Sequence, residues 1–372
     1  MLERVSTVGD ATSLSDWKRR AGQRLIIGFE HPHLDDDARR VIREVRPAGF
    51  ILFKRNVESP EQVRELNREL IALTDAAYPP LLTVDQEGGR VQRVREPATV
   101  WPSMRVVGQA GADMVTRVST AMALELRAMG FNLNFAPDAD VDSNPKNPVI
   151  GDRSFGRSPN EVAAAVKRHI EAHQAAGVIA CAKHFPGHGD TAVDSHLELP
   201  IVEKERPEIE QCELVPFRAA VEAKVGSVMT AHVVYPAYDE DLPATLSPRI
   251  IPEILRRKLG YTDGLVFSDD LEMKAVMGRW PLERQIALMT ANTVDVLLCC
   301  RSPQLQLEAF EHLVAGQQYD KSFAERTRQS VRRLTAVRER FFVDRSPDPS
   351  LDLVGCPSHV DLALLARARG DG

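Results

Sequence analysis

Residues Gly177 to His196 read GVIACAKHFPGHGDTAVDSH, and the change of character inside this stretch sets the architecture of the chain. The apolar run Gly177 to Cys181 has the length of a short buried strand. From Lys183 to His196 the chain turns polar, and Pro186, Gly187 and Gly189 break any helical register, which makes this part a loop. A strand that empties into a polar, glycine-rich loop is the place where α/β folds keep reactive side chains.

Working outward, the same alternation repeats along the chain. Strand-like runs fall at Arg24–Phe29, Gly49–Phe53, Leu81–Val84, Phe131–Phe135, Gly177–Cys181, Ser227–His232, Leu265–Ser268 and Val294–Cys299. Helical patterns separate them at Asp35–Val45, Pro60–Leu73, Ala110–Met129, Asn160–Ala176, Pro207–Ala223, Ile250–Leu259 and Gln285–Asn292. Ser59 followed by Pro60 is a helix start, with a capping side chain before a proline at the first position. Eight βα units predict a (β/α)8 TIM-type barrel, with its active site at the C-terminal ends of the strands, rather than a doubly wound sheet. Linkers are short and no internal repeat is visible, so residues 1–345 are expected to form one barrel domain. Residues 346–372 are expected to form a short tail with one helix, Asp361–Arg369, packed on its outside.

The chain has 372 residues, 43% hydrophobic and 27% charged, enough for a large core. A net charge of −6 and the absence of a basic run argue against a nucleic-acid partner. No segment is long and apolar enough to span a membrane, and the first twenty residues lack the apolar centre of a secretory signal. Cys181, Cys212, Cys299, Cys300 and Cys356 are odd in number and lack metal or disulfide spacing, as in a reduced, cytoplasmic protein.

Polar clusters recur at the predicted strand ends: Asp85, Glu87, Arg90 and Arg93; Asp138 to Arg153; the loop from Lys183; His232; and Asp269-Asp270. In a barrel these ends share one pocket. Asp194 and His196 are two apart, so in extended chain a carboxylate stands beside an imidazole, which would fix its tautomer and raise its pKa. A solvated surface pair is the alternative. Asp85 and Glu87 could equally be loop charges neutralised by Arg90 and Arg93, Arg153 could pair with Asp152, and His232 reads as a satisfied core histidine. Adjacent carboxylates past a buried strand are expensive without a role, and strict alternation places one of Asp269 and Asp270 toward the axis and the other away. His169 and His173, four apart, sit on an amphipathic helix and lack a zincin glutamate. A metal site built from the loop histidines and Asp190 stays open as a further alternative.

Four segments carry a family resemblance. KHFPGHGDTAVDSH, VDQEGGRVQR (Val84–Arg93), GDRSFG (Gly151–Gly156) and VFSDDLEMKAV (Val266–Val276) together resemble bacterial β-N-acetylhexosaminidases of glycoside hydrolase family 3, over Leu25 to Cys300. The Asp-x-His ending of the first segment resembles the N-acetylglucosaminidase branch rather than the β-glucosidase branch. The resemblance implies retaining, two-step removal of terminal β-linked N-acetylglucosamine. Asp269 would be the nucleophile, His196 the acid and then the base, and Asp194 its orienting partner. Asp85, Arg93, Arg153, Lys183 and His184 would bind the sugar, while His188 and Asp190 would shape the loop. It also implies no cofactor, a small glycoside as partner, a monomer, and a place in recycling N-acetylglucosaminyl-anhydro-muramoyl peptides in the cytoplasm. MTANTVDVLLCC, before the eighth strand, lacks the Ala-Gly pair of many relatives, a difference that touches packing near Asp295. A β-glucosidase-like or substrate-assisted glycosidase, a metal-dependent barrel hydrolase and a sugar-binding protein without turnover remain as alternatives.

Overall fold

A computed structural model describes residues 13–192, 199–343 and 346–370. Eight parallel strands, β1 (Leu25–Ile27), β2 (Gly49–Leu52), β3 (Leu81–Val84), β4 (Leu133–Asn134), β5 (Ile179–Phe185), β6 (Ser227–Thr230), β7 (Leu265–Asp270) and β8 (Val296–Cys299), close into a barrel in chain order. Closure is made by β1, which pairs with β8 (Leu25↔Leu297) and with β2 (Ile26↔Gly49). The predicted strands all form, within a few residues of their expected ends. Their continuous apolar character follows from burial on both faces, which a parallel sheet wrapped in helices requires.

Two apolar layers result. Ile26, Ile51, Phe135, Met229, Phe267 and Leu298 point inward and fill the barrel, with the rings of Phe135 and Phe267 edge to face at 5.3 Å. Alternate residues such as Leu25, Phe50, Leu82 and Val266 meet the surrounding helices. The floor is closed by a helix the sequence reading did not assign, α11 (Lys321–Phe342), whose Leu334 and Val337 join the inner layer.

The other helices are α1 (Leu14–Gly22), α2 (Asp36–Val45), α3 (Pro60–Ala72), α4 (Met104–Gln109), α5 (Ala112–Ala128), α6 (Pro159–Ala175), α7 (Arg206–Gln211), α8 (Leu214–Glu222), α9 (Leu282–Ala291), α10 (Pro303–Tyr319) and α12 (Pro357–Gly370). Ser59 caps α3, accepting from the Gln62 amide at 3.2 Å, with Pro60 in the first turn as predicted. One helix expected over Pro207–Ala223 is instead two, broken at Cys212 and Glu213. The reason is Pro216, which cannot donate to the Cys212 carbonyl and whose ring would crowd it. Ile250–Lys258 winds as a wider π-helix, shown by the Leu259 amide donating to the Ile254 carbonyl at 2.9 Å. Near the C-terminus, α12 rests on α4 and α5, and His359 Nδ1 lies 2.9 Å from the buried Glu125 carboxylate.

Two local departures from sheet regularity position the site. Between Ala182 and Phe185, β5 advances three residues while β6 advances two, from Val228 to Thr230. Between Phe267 and Asp270, β7 advances three while β8 advances two, from Val296 to Leu298. Each is a β-bulge at the C-terminal end of a strand, which re-aims side chains that strict alternation would send outward.

Candidate active site

Lys183 and His184 therefore stand on β5 itself, since the strand runs to Phe185, rather than in the loop where the sequence placed them. Both line a cavity of about 190 Å³ at the C-terminal mouth of the barrel. Its floor is apolar, formed by Ile51, Phe135, Met229 and Leu298, and its walls include Asp85, Glu87, Arg93, Arg153 and Asp269. Drug-sized ligands occupy cavities of about 300–1,000 Å³, so this one suits a single small polar ring. Asp269 and Asp270 both line it. The bulge in β7 between Phe267 and Asp270 falls at this pair.

A buried ion network organises the polar wall. Lys183 Nζ lies 2.7 Å from Asp85 Oδ1 and 2.6 Å from Glu87 Oε1. Arg153 grips Glu87 with two hydrogen bonds, 2.8 and 2.9 Å, so it does not pair with Asp152, which lies instead 3.6 Å from Arg90. Arg93 reaches Asp85 Oδ2 at 3.3 Å. Burial alone would raise the pKa of Glu87 and Asp85, but the cations outweigh it and hold both below the usual carboxylate range. Burial likewise works against the charge on Lys183, and Asp85 with Glu87 more than reverses it. The ammonium and the two carboxylates thus stay ionised together.

The ends of β3 and β4 hold this wall in place. Asn134 exchanges two hydrogen bonds with the backbone of Gln86, and Gln86 Oε1 accepts the amides of Arg93 and Val94. The nine-residue segment Asp85–Arg93 is thereby clamped to its neighbour. Gly88 and Gly89 have φ of 107° and 56°, and a Cβ at Gly88 would lie 2.4 Å from the Pro102 carbonyl oxygen. The pair is a tight turn in the left-handed region rather than a phosphate cradle.

Behind the cations lie Asp138, Asp140 and His184. His184 Nδ1 lies 2.8 Å from Asp140 Oδ2, and its Nε2 faces Arg153 Nη2 at 3.4 Å. With burial and Arg153 against it, the imidazole is pushed down to about 4, so it is neutral, donating to Asp140 and presenting a lone pair to the guanidinium. Asp140 also accepts the His188 amide at 2.6 Å. Asp138 has fewer donors, and burial with the neighbouring Asp140 charge pushes it up to about 7. These three residues are the one group among the described residues with donor atoms near enough to hold a metal ion. Arg153 already lies 3.4 Å from Asp138 and faces His184, so a guanidinium holds the position a cation would take.

Asp269 Oδ1 accepts the amide of Asp270 at 2.8 Å, which fixes the carboxylate at the rim. Asp270 is held differently: burial, then Glu272 and Asp269, raise it to about 7 although the amides of Glu272 and Cys300 point at it. Buried His232 Nε2 lies 3.2 Å from the Asp270 carbonyl and its Nδ1 2.9 Å from Thr245 Oγ1, the partnered core histidine that the sequence suggested. Asp194 and His196 lie outside the described residues. The loop leading to them is anchored: Tyr235 donates to the Gly187 carbonyl at 2.6 Å, and Asn147 Nδ2 donates to the carbonyls of His188 and Gly189. Lys204 lies 3.5 Å from Asp190 and 2.6 Å from Glu213.

Sequence reasoning singled out Asp85, Arg93, Arg153, Lys183, His184 and Asp269, and all six line the cavity. It mentioned Glu87 and Asp138 only as members of polar clusters and gave Asp140 no role. Their signal was present in DQEGGR and DADVD, but which carboxylate faces a cation depends on neighbouring strands. His169 and His173 stack face to face at 4.0 Å, fully buried between α5, α6 and the sheet. They bear no carboxylate and belong to the core.

Comparison with known proteins agrees with the barrel fold. Residues 18–337 match the glycosyl hydrolase family 3 N-terminal domain. A β-hexosaminidase of Alkalilimnicola ehrlichii is 41% identical over 301 residues, 78% of this chain and 84% of that protein. A β-hexosaminidase of Methylococcus capsulatus is 39% identical over 84% of this chain and 91% of its own length. Among solved structures, a family 3 β-N-acetylglucosaminidase from Paenibacillus sp. superposes with a TM-score of 0.89 at 38% identity, over 95% of this chain and 68% of that one. NagZ from Neisseria gonorrhoeae, solved in complex with N-trifluoroacetyl-D-glucosamine, gives 0.74 at 29% identity over 94% and 98%.

Proposed function

The chain belongs to glycoside hydrolase family 3 and is a glycoside hydrolase, and from that premise we propose that it is a retaining exo-β-N-acetylglucosaminidase. The observation that carries the reading is that Asp269 lines the same small cavity as the Asp85–Lys183–Glu87–Arg153 network. One terminal sugar fits with its hydroxyls among those charges and its anomeric carbon toward Asp269. Asp85, Arg93, Arg153, Lys183 and His184 bind the ring in this reading. Relatives that are named β-hexosaminidases and β-N-acetylglucosaminidases support an N-acetylated sugar.

In the first step an Asp269 oxygen bonds to the anomeric carbon as the glycosidic C–O bond breaks, and the leaving oxygen takes a proton from His196. In the second, His196 removes a proton from water, whose oxygen displaces the carboxylate and releases the sugar. Asp194 orients the imidazole. Asp270 is the weaker candidate for nucleophile, because a carboxyl raised to about 7 holds its proton over much of the neutral range. The physiological substrate we infer is an N-acetylglucosaminyl-anhydro-muramoyl peptide, hydrolysed by a monomer in the cytoplasm during cell-wall recycling. Cell fractionation and analysis of muropeptides accumulated by a deletion strain check that part.

A second reading is favoured by one observation: both residues of the adjacent acidic pair line the cavity, and a substrate-assisted enzyme would use such a pair. A chromogenic β-N-acetylglucosaminide beside the matching β-glucoside tests the substrate, with Asp269→Ala as control. Preference for the glucoside overturns the assignment. A 2-fluoro sugar that labels Asp269 supports the covalent route, and turnover without any labelling supports the substrate-assisted one. Loss of activity to a chelator would point to a metal-dependent hydrolase instead.

A further inference from the structure

A second cavity, of about 470 Å³, opens on the opposite end of the barrel, beneath the first three strands. It lies where α1, α2 and α3 end, and its walls carry Arg19, Arg43 and Arg46; Arg19 Nη1 donates to Tyr78 Oη at 3.1 Å and its Nη2 lies 3.5 Å from Asp16. Pro47 and Leu73 supply apolar surface. One carboxylate, Asp75, shares the lining, and its Oδ1 already accepts the Ala77 amide at 2.9 Å. On a chain of net charge −6 this is a local concentration of positive charge.

Basic residues often sit in the last turn of a helix because they complement its dipole, and that accounts for Arg19 and Arg43. It does not account for two other observations. Arg46 adopts φ 50°, ψ 61° at the end of α2, where glycine or asparagine is the least strained choice, yet a guanidinium is placed there. Arg338, on the helix that closes the floor, is 5% exposed and its Nε has no hydrogen-bond partner among the described residues. Its Nη1 donates at 2.7 Å to Gln23, a lining residue, and its Nη2 to the Ala48 carbonyl. A buried guanidinium with neutral hydrogen-bond acceptors lacks a compensating charge, and an anion in the adjacent cavity would supply one.

We propose that this cavity binds a small organic phosphate of mononucleotide size, with the phosphate among the arginines and an apolar face against Tyr78, Pro47 and Leu73. Arginine forks suit phosphate oxygens, and the apolar walls favour a phosphate ester over the inorganic ion. The site is independent of the hydrolytic pocket.

Isothermal titration of the full chain with adenosine monophosphate tests this, with adenosine and inorganic phosphate as comparisons. The expected result is saturable binding of the monophosphate, at least tenfold weaker binding of adenosine and of phosphate, and at least a tenfold loss in Arg43→Ala/Arg46→Ala. Both side chains are exposed, so that variant should fold, and its unchanged turnover of a chromogenic glycoside verifies it. Addition of N-acetylglucosamine should leave the binding untouched. No binding at millimolar ligand, equal binding of adenosine, an unaffected double variant, or competition by N-acetylglucosamine would each overturn the proposal.

Discussion

Arg153 and Glu87 meet through two parallel hydrogen bonds, Nε to Oε2 at 2.8 Å and Nη2 to Oε1 at 2.9 Å, with the Glu87 side chain 1% exposed. Glu87 also accepts Lys183, so one carboxylate compensates two buried cations. Breaking a buried pair from one side costs about 3–5 kcal/mol, because the partner stays charged and dry. Glu87→Gln is therefore expected to lose about 3 kcal/mol of stability and most of its turnover. Urea unfolding of the variant reads the first quantity directly, and a midpoint equal to wild type would refute it.

Lys183 is the converse case. Lys183→Met removes the cation that Asp85 and Glu87 share, leaving Arg93 on the first and Arg153 on the second, so both pKa values should rise. Turnover is expected to fall by about 100-fold or more, as for loss of a preorganised electrostatic contact. Lys183→Arg should not restore it, since a side chain 3% exposed leaves no room for the longer, planar group. Steady-state kinetics of the two variants decide the point.

Acid should destabilise the fold through its buried histidines. Burial pushes His173 down to about 3, and His184 and His188 to about 4, against about 6.5 in an unfolded chain. Below pH 6.5 the unfolded state binds protons that the folded state refuses, so stability is full above 6.5 and falls as pH drops toward 4. Each shift corresponds to about 3 kcal/mol over that range. Asp138 and Asp270, raised to about 7, act with opposite sign, favouring the fold below neutrality. The histidine contribution is isolated by His173→Phe, which should flatten the pH dependence of the urea midpoint between 6.5 and 4. An unchanged slope would exclude it.

Gly189 tests the seat of the loop. A Cβ there would lie 1.6 Å from the carbonyl oxygen of Val141, and the contact is backbone, which cannot rotate aside. Gly189→Ala must displace the loop that leads toward His196, so kcat should fall more than binding of the sugar product weakens. Comparing turnover with product affinity by titration separates the two.

The tail offers a further check. Glu125 is buried and receives Thr99, the Gly355 amide and His359. Removing residues 346–372 takes away the last two and uncovers α4 and α5, so the melting temperature should drop while the chromogenic substrate is still hydrolysed. Complete loss of folding would show that the tail is part of the barrel domain.

Much of this was readable in the chain. Eight apolar runs, long enough for strands and separated by amphipathic stretches, imply a barrel because each run needs cover on both faces. Ser59-Pro60 marked a helix start through local chemistry alone, and Gly187 and Gly189 marked a loop. What failed did so where local preference met a neighbour. Pro216 split a helix that periodicity would have continued, and the amphipathic stretch over Lys321–Phe342 gave no hint that it would seal the barrel floor.

The sequence by itself determined which side chains were available: lysine, arginines and carboxylates concentrated at strand ends, and a proline and glycines that stop a helix from forming there. Tertiary structure alone decided how they face one another. A single extra residue in β5 and another in β7, each opposed to fewer residues on the adjacent strand, fall at Lys183 with His184 and at Asp269 with Asp270, all four of which line one cavity. A bulge is a mismatch between two strands distant in the chain, so its position depends on packing around the closed barrel and leaves no mark on either strand's own pattern.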